Sequence, residues 1–196
     1  MKKINFFLLC ALISCVVFGQ QQQPKPPSPE VAFSEALNKV VQDYRSNFIH
    51  IQGDKIPADM DADAYKSKVC VPAALGCKVM RYRSAEDKTA NWQAGFYDGE
   101  SFEEAVKMYK KIYSLVKKAA VKGVATSAAG FDGKLETVDE SIGFAVSTLR
   151  LKTTNKTYKD MVAEVEITSN FTGWEVRLNV YTKKKIEEEK DPEDKP

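Results

Sequence analysis

Trp174-Glu175-Val176-Arg177-Leu178-Asn179-Val180-Tyr181-Thr182 reads as a β-strand with two unlike faces. Trp174, Val176, Leu178 and Val180 fall on one side and Glu175, Arg177 and Asn179 on the other, because successive side chains of a strand point to opposite faces. That alternation belongs to an antiparallel sheet with one buried and one wet face; a parallel sheet covered by helices shows unbroken apolar runs instead. Toward the amino end come the turn residues Ser169-Asn170-Phe171-Thr172-Gly173, an apolar stretch from Met161 to Thr168, the polar Thr153-Thr154-Asn155-Lys156, and a stretch from Gly143 to Lys152. Connections this short join only antiparallel neighbours, so the carboxyl half is predicted to be a three-stranded meander.

Before the meander the hydrophobic period lengthens to that of a helix. Ser101 and Glu104 form a capping box, while Phe102, Ala105, Val106, Tyr109, Ile112, Tyr113 and Val116 line one face, with Gly123 as the expected stop. Lys110, Lys111, Lys117, Lys118 and Lys122 gather toward its carboxyl end, where positive charge suits exposed carbonyls and a solvated helix face. An earlier helix is marked by Phe33, Leu37, Val40, Val41, Tyr44 and Phe48 at intervals of three and four, capped by Ser28 with Pro29 in its first turn. Between the helices, segments near Phe48–Gly53, Lys66–Pro72, Cys77–Arg83 and Asn91–Tyr97 are short, rich in aromatic or β-branched residues, and separated by Gly, Pro, Asp or Ser. Trp92, Ala94 and Phe96 repeat the spacing of the last strand, with Asn91 and Gln93 on the opposite side.

The predicted class is therefore α+β: two amphipathic helices on one face of a mainly antiparallel sheet, in the order α-β-β-β(-β)-α-β-β-β. Each half reads as a helix followed by strands and ends on a tryptophan strand. A diverged tandem repeat would produce that pattern, although residue identity between the halves is slight. In outline the order resembles small exported α+β domains of bacteria, including tandem helix-plus-sheet modules that inhibit or bind other proteins. The resemblance is architectural, rests on no diagnostic motif and transfers no site residue.

The ends of the chain give an address. Lys2 and Lys3 precede an apolar run from Ile4 to Phe18, and Val17-Phe18-Gly19 places compact residues where a signal peptidase reads, so residues 1–19 are expected to be a cleaved signal peptide. About fifteen apolar residues fall short of the roughly twenty that span a bilayer core. A second route stays open, since Leu12-Ile13-Ser14-Cys15 is similar to a lipobox and acylation at Cys15 would leave a tethered protein, although apolar rather than polar sequence follows it. Residues 20–29, QQQQPKPPSP, form a Gln/Pro-rich linker, residues 30–182 the predicted single α+β domain, and residues 183–196 an almost wholly charged or proline tail expected to be disordered. Lys plus Arg number 29 against 27 Asp plus Glu, a net charge of +2, which gives no global field to gather nucleic acid. Membrane contact is expected only through Cys15.

Candidates for chemistry are few. Excluding Cys10 and Cys15 of the leader, Cys70 and Cys77 remain, and the intervening VPAALG, with Pro72 and Gly76, suits a turn that brings them within bonding distance. A structural disulfide is predicted, since redox dithiols favour two intervening residues and zinc needs further ligands. The one histidine, His50, has no visible nucleophile or metal-binding companion. Asp59, Asp61 and Asp63 alternate like the start of a calcium loop but lack the glycine and distal glutamate of an EF-hand, which leaves a polar loop as the simpler reading. No phosphate-cradling glycine loop, Gly-x-Ser-x-Gly elbow, His-Glu-x-x-His helix or dinucleotide fingerprint occurs, so no cofactor is expected. Trp92 and Trp174 are expected as core anchors, and Tyr44, Tyr109 and Tyr113 as core residues with hydroxyls at the rim.

These features point to an exported, periplasmic or secreted binding module with a protein or envelope component as partner. A small extracytoplasmic hydrolase using paired carboxylates and a structural lipoprotein anchored at Cys15 are the alternatives.

Overall fold

A computed structural model describes residues 27–58, 61–83 and 89–183. The leader with Cys10 and Cys15, residues 20–26 of the linker, Asp59, and the tail from residue 184 onward lie outside the described residues.

The chain runs α1 (Pro29–Tyr44), β1 (Gln52–Ile56), β2 (Ala62–Ser67), β3 (Gly76–Tyr82), β4 (Ala90–Gly99), α2 (Phe102–Lys118), β5 (Ala120–Val121), β6 (Ala129–Gly133), β7 (Phe144–Leu151), β8 (Met161–Asn170) and β9 (Gly173–Thr182). All strand pairs are antiparallel, in the order β1-β2-β3-β4-β9-β8-β7-β6-β5. Each half is thus a helix followed by a meander, and the two meanders join at the seam where their last strands, β4 and β9, pair. The class is α+β, with both helices on one face. Phe33 of α1 packs on Phe96 of β4, and Tyr109 of α2 shares a 2.6 Å hydrogen bond with Ser147 of β7, both partners lying on the inner face. One buried cluster runs through both halves, including Leu37, Val40, Ile112, Val116, Trp92 and Leu178. Burying apolar side chains of this size is worth about 1.5–3 kcal/mol each, which fixes the register of every strand that carries one.

Both helix starts follow from their caps. Ser28 Oγ accepts from the Val31 amide and Ser101 Oγ from the Glu104 amide. The return arm of the capping box is replaced, because the Ser101 amide donates to the Tyr97 hydroxyl.

Several boundaries differ from the sequence expectation. Phe48 fits the apolar stripe but is not helical: α1 stops at Tyr44, Asn47 and Phe48 take positive φ values of 53° and 59°, and the turn carries the Phe48 ring into the core. The first two strands consequently begin at Gln52 and Ala62, and the expected Asp-rich loop turns into β2 after Asp61. Gly123 does not end α2. The helix closes at Ala119, β5 follows at once, and Gly123 turns the chain with φ of 75°. The carboxyl half holds five strands, not three, because β5 is two residues long and β6 is the glycine-rich AGFDG, which carries little strand propensity.

Candidate functional site

The outer face of the sheet, opposite the helices, is polar along the seam. One cross-strand row runs Lys66, Lys78, Gln93, Asn179, Glu164 and Thr148 through six adjacent strands. Two members are buried although they face outward: Glu164 and Asn179. The carboxylate of Glu164 accepts from Thr148 Oγ1 (2.7 Å), the Tyr181 hydroxyl (2.6 Å) and Lys183 Nζ (2.8 Å). Burial pushes its pKa up, but these three donors together outweigh burial and hold it below the usual glutamate range. Burial and the neighbouring carboxylate raise the Tyr181 phenol, which keeps it a donor. Gln93 Nε2 donates to Asn179 Oδ1 at 2.8 Å, and Asn179 Nδ2 donates to Glu166 Oε2 at 3.2 Å. The result is a directed chain of amide donors that starts in one half of the molecule and ends in the other.

Above this network lies a cavity of about 420 Å³, lined by Tyr82, Asn91, Gln93, Glu166, Arg177 and Tyr181 among others. Its volume falls within the range of small-ligand sites. Tyr82 stands at the rim with 51% of its surface exposed. Asn91 Oδ1 is sealed from solvent and, among the described residues, has no hydrogen-bond partner, a state that costs about 1–3 kcal/mol. Lys183 holds Glu164, the Arg177 guanidinium is ion-paired with Glu175 on its own strand, and Glu166 accepts from the Asn179 amide. A second hollow of about 600 Å³ continues from Gln93 and Arg177 toward β3. Its floor is Gly76 opposite Gly95, where an added Cβ would meet nothing within 4 Å, and exposed Leu75 forms part of the rim.

The residues singled out in the sequence fall elsewhere. Cys70 and Cys77 are bonded, with Cα atoms 5.4 Å apart, and close the loop that leads into β3 beside the second hollow. His50 lies in the turn after α1, its side chain 71% exposed, and its Nδ1 is 2.6 Å from Asp43 Oδ1. Asp43 Oδ2 accepts from the backbone amides of His50 and Ile51, so the carboxylate is a cap for the chain reversal. Among the described residues the other ring nitrogen of His50 has no partner. Asp63 is on β2, gripped by Lys55 and Arg83, whose hydrogen bonds and charge push its carboxyl down to about 2. Asp61 contributes a backbone carbonyl to the Arg83 amide, and no metal-ligating cluster occurs among the described residues. Trp92 and Trp174 face the core, Trp92 Nε1 donating to Ser67 Oγ. The hydroxyls of Tyr44, Tyr109 and Tyr113 are engaged by Thr182, Ser147 and the Gly133 carbonyl, and the five lysines of the α2 cluster are exposed.

The cavity draws on Asn91, Gln93, Arg177 and Asn179, which the alternation of their strands already placed on the polar face. Glu164, Glu166 and Tyr82 were not singled out, because only the cross-strand register brings them to the same place. Compared with protein-family models, curated proteins and solved structures, the chain finds no match in any of the three.

Proposed function

We propose that this chain is an exported, non-catalytic binding module that works through the polar outer face at the β4–β9 seam. The chief support is the state of the cavity's carboxylates. Carboxylate hydrolysis needs one acid kept protonated near neutral pH by a raised pKa. Here Glu164 is held ionised by three donors, and among the described residues every carboxyl with a clear shift, Asp63, Asp139 and Glu164, moves downward. A rigid sheet carrying fixed donors and acceptors suits recognition, because little order has to be imposed on binding.

Export is supported by the leader pattern and by the Cys70–Cys77 disulfide, a bond that persists in oxidising compartments. The partner is a component of the envelope or of its surroundings. The experiment is photo-crosslinking in the producing cells, with a benzophenone side chain at position 82 in the seam cavity or at position 110 on the helical face. Adducts from position 82 and none from position 110, in protein recovered outside the cytosol, are expected. Equal labelling from both positions, or protein retained in the cytosol with its leader, would contradict the proposal.

A further inference from the structure

We propose that the seam cavity is a saccharide site, taking an uncharged sugar unit whose hydroxyls bridge Asn91, Gln93, Glu166 and Arg177 and whose ring lies against Tyr82. This rests on the seam being the binding surface and adds the chemical class of the ligand.

Four observations carry it. The wall includes planar amide, carboxylate and guanidinium groups that set donors beside acceptors, and a sugar hydroxyl, being both, satisfies such neighbours in pairs. Asn91 is a wall residue whose buried Oδ1 has no hydrogen-bond partner among the described residues, so a turn of its amide toward the cavity would trade an unsatisfied acceptor for a bond to a ligand hydroxyl. Arg177, the one cation of the described lining, is ion-paired with Glu175, and Lys183 is held by Glu164, so no positive charge is left over to draw a phosphate or a carboxylate, and the fit is to an uncharged ligand. Tyr82 offers an exposed ring at the rim, and the C–H-rich face of a sugar packs on such a surface while its edge hydroxyls reach the polar wall. The adjoining hollow over Gly76 and Gly95 leaves space along the sheet for a second unit of a chain.

The test is a screen of the full chain, with its disulfide intact, on an array of neutral oligosaccharides, followed by calorimetric titration of any hit. At least one hit is expected, with an affinity that falls tenfold or more in Tyr82→Ala and in Asn91→Ala. Phe171→Ala, at the exposed tip of the β8–β9 hairpin, should leave affinity unchanged, and thermal melts should show all three variants folded. An array without a hit overturns the saccharide assignment, while the cross-linking from position 82 separately decides whether the seam binds anything. A hit that Tyr82→Ala and Asn91→Ala leave unaltered places the sugar elsewhere and overturns the assignment as well.

Discussion

Asp43 shows how a charged residue on a helix becomes part of the structure. It lies in the last turn of α1 with its side chain 10% exposed, and it accepts from two backbone amides as well as from His50. Asp43→Ala leaves those amides without an acceptor and is expected to cost about 2 kcal/mol, whereas His50→Ala removes a largely solvated partner and costs about 0.5 kcal/mol. Urea denaturation of the two variants checks this, and comparable losses would make the pair a unit in place of a cap. Glu164 makes a pH-dependent contribution. Its pKa in the folded chain lies below the unfolded value of about 4.3, so its stabilisation is complete above that value and disappears as pH falls through the folded pKa. Glu164→Gln should therefore be less stable than the parent at pH 7, with the gap closing steadily below about pH 4.3. A gap that is constant from pH 7 to pH 2.5, measured by denaturant midpoints, would show that the charge is immaterial.

At the scale of elements, two local constraints set the edges of the seam. The Cys70–Cys77 bond closes a small ring and by loop entropy stabilises by about 2.5 kcal/mol; replacing both residues with serine is expected to lower the melting temperature by that equivalent without changing far-UV circular dichroism. Gly173 opens β9 with φ of 143°, and a Cβ there would run into the backbone of Gly99 and Glu100. Gly173→Ala should thus destabilise by more than the roughly 1 kcal/mol of an ordinary glycine replacement, measured by the same melts. The legibility of the elements followed their length and patterning. β9 alternates from Trp174 to Val180 and β8 from Ala163 to Thr168, and both were readable from that pattern. β5 and β6 were not, since two residues carry no period and AGFDG offers few side chains to read. Residues 45–51 were misread because Phe48 has helical spacing, while its burial depends on two left-handed residues that no periodicity reveals. The polar character of the seam was visible as Asn91 and Gln93 in one half and Arg177 and Asn179 in the other. Their meeting was invisible, because pairing of the two terminal strands is a long-range event.

At the scale of the molecule, the described residues form one sheet built from two helix-plus-meander halves whose strand order runs inward from either edge to a common seam. A tandem repeat that fused through its last strands would have this layout, and the polar row through six strands exists only when both halves are in place. Folding should accordingly be cooperative. Trp92 reports from β4 and Trp174 from β9, so single-tryptophan variants, Trp174→Phe and Trp92→Phe, should each show fluorescence and far-UV transitions that coincide in urea. Separate transitions would mean that the halves unfold independently and that the seam is a loose contact. The proposal that the seam receives the partner is tested most directly by hydroxyl-radical footprinting of the full chain in contact with the envelope of the cells that produce it. Protection of Tyr82 and Tyr181, with Val31 on α1 and Phe171 at the hairpin tip unaltered, is the predicted result; protection of α1 or the hairpin tip with Tyr82 still fully reactive would contradict it.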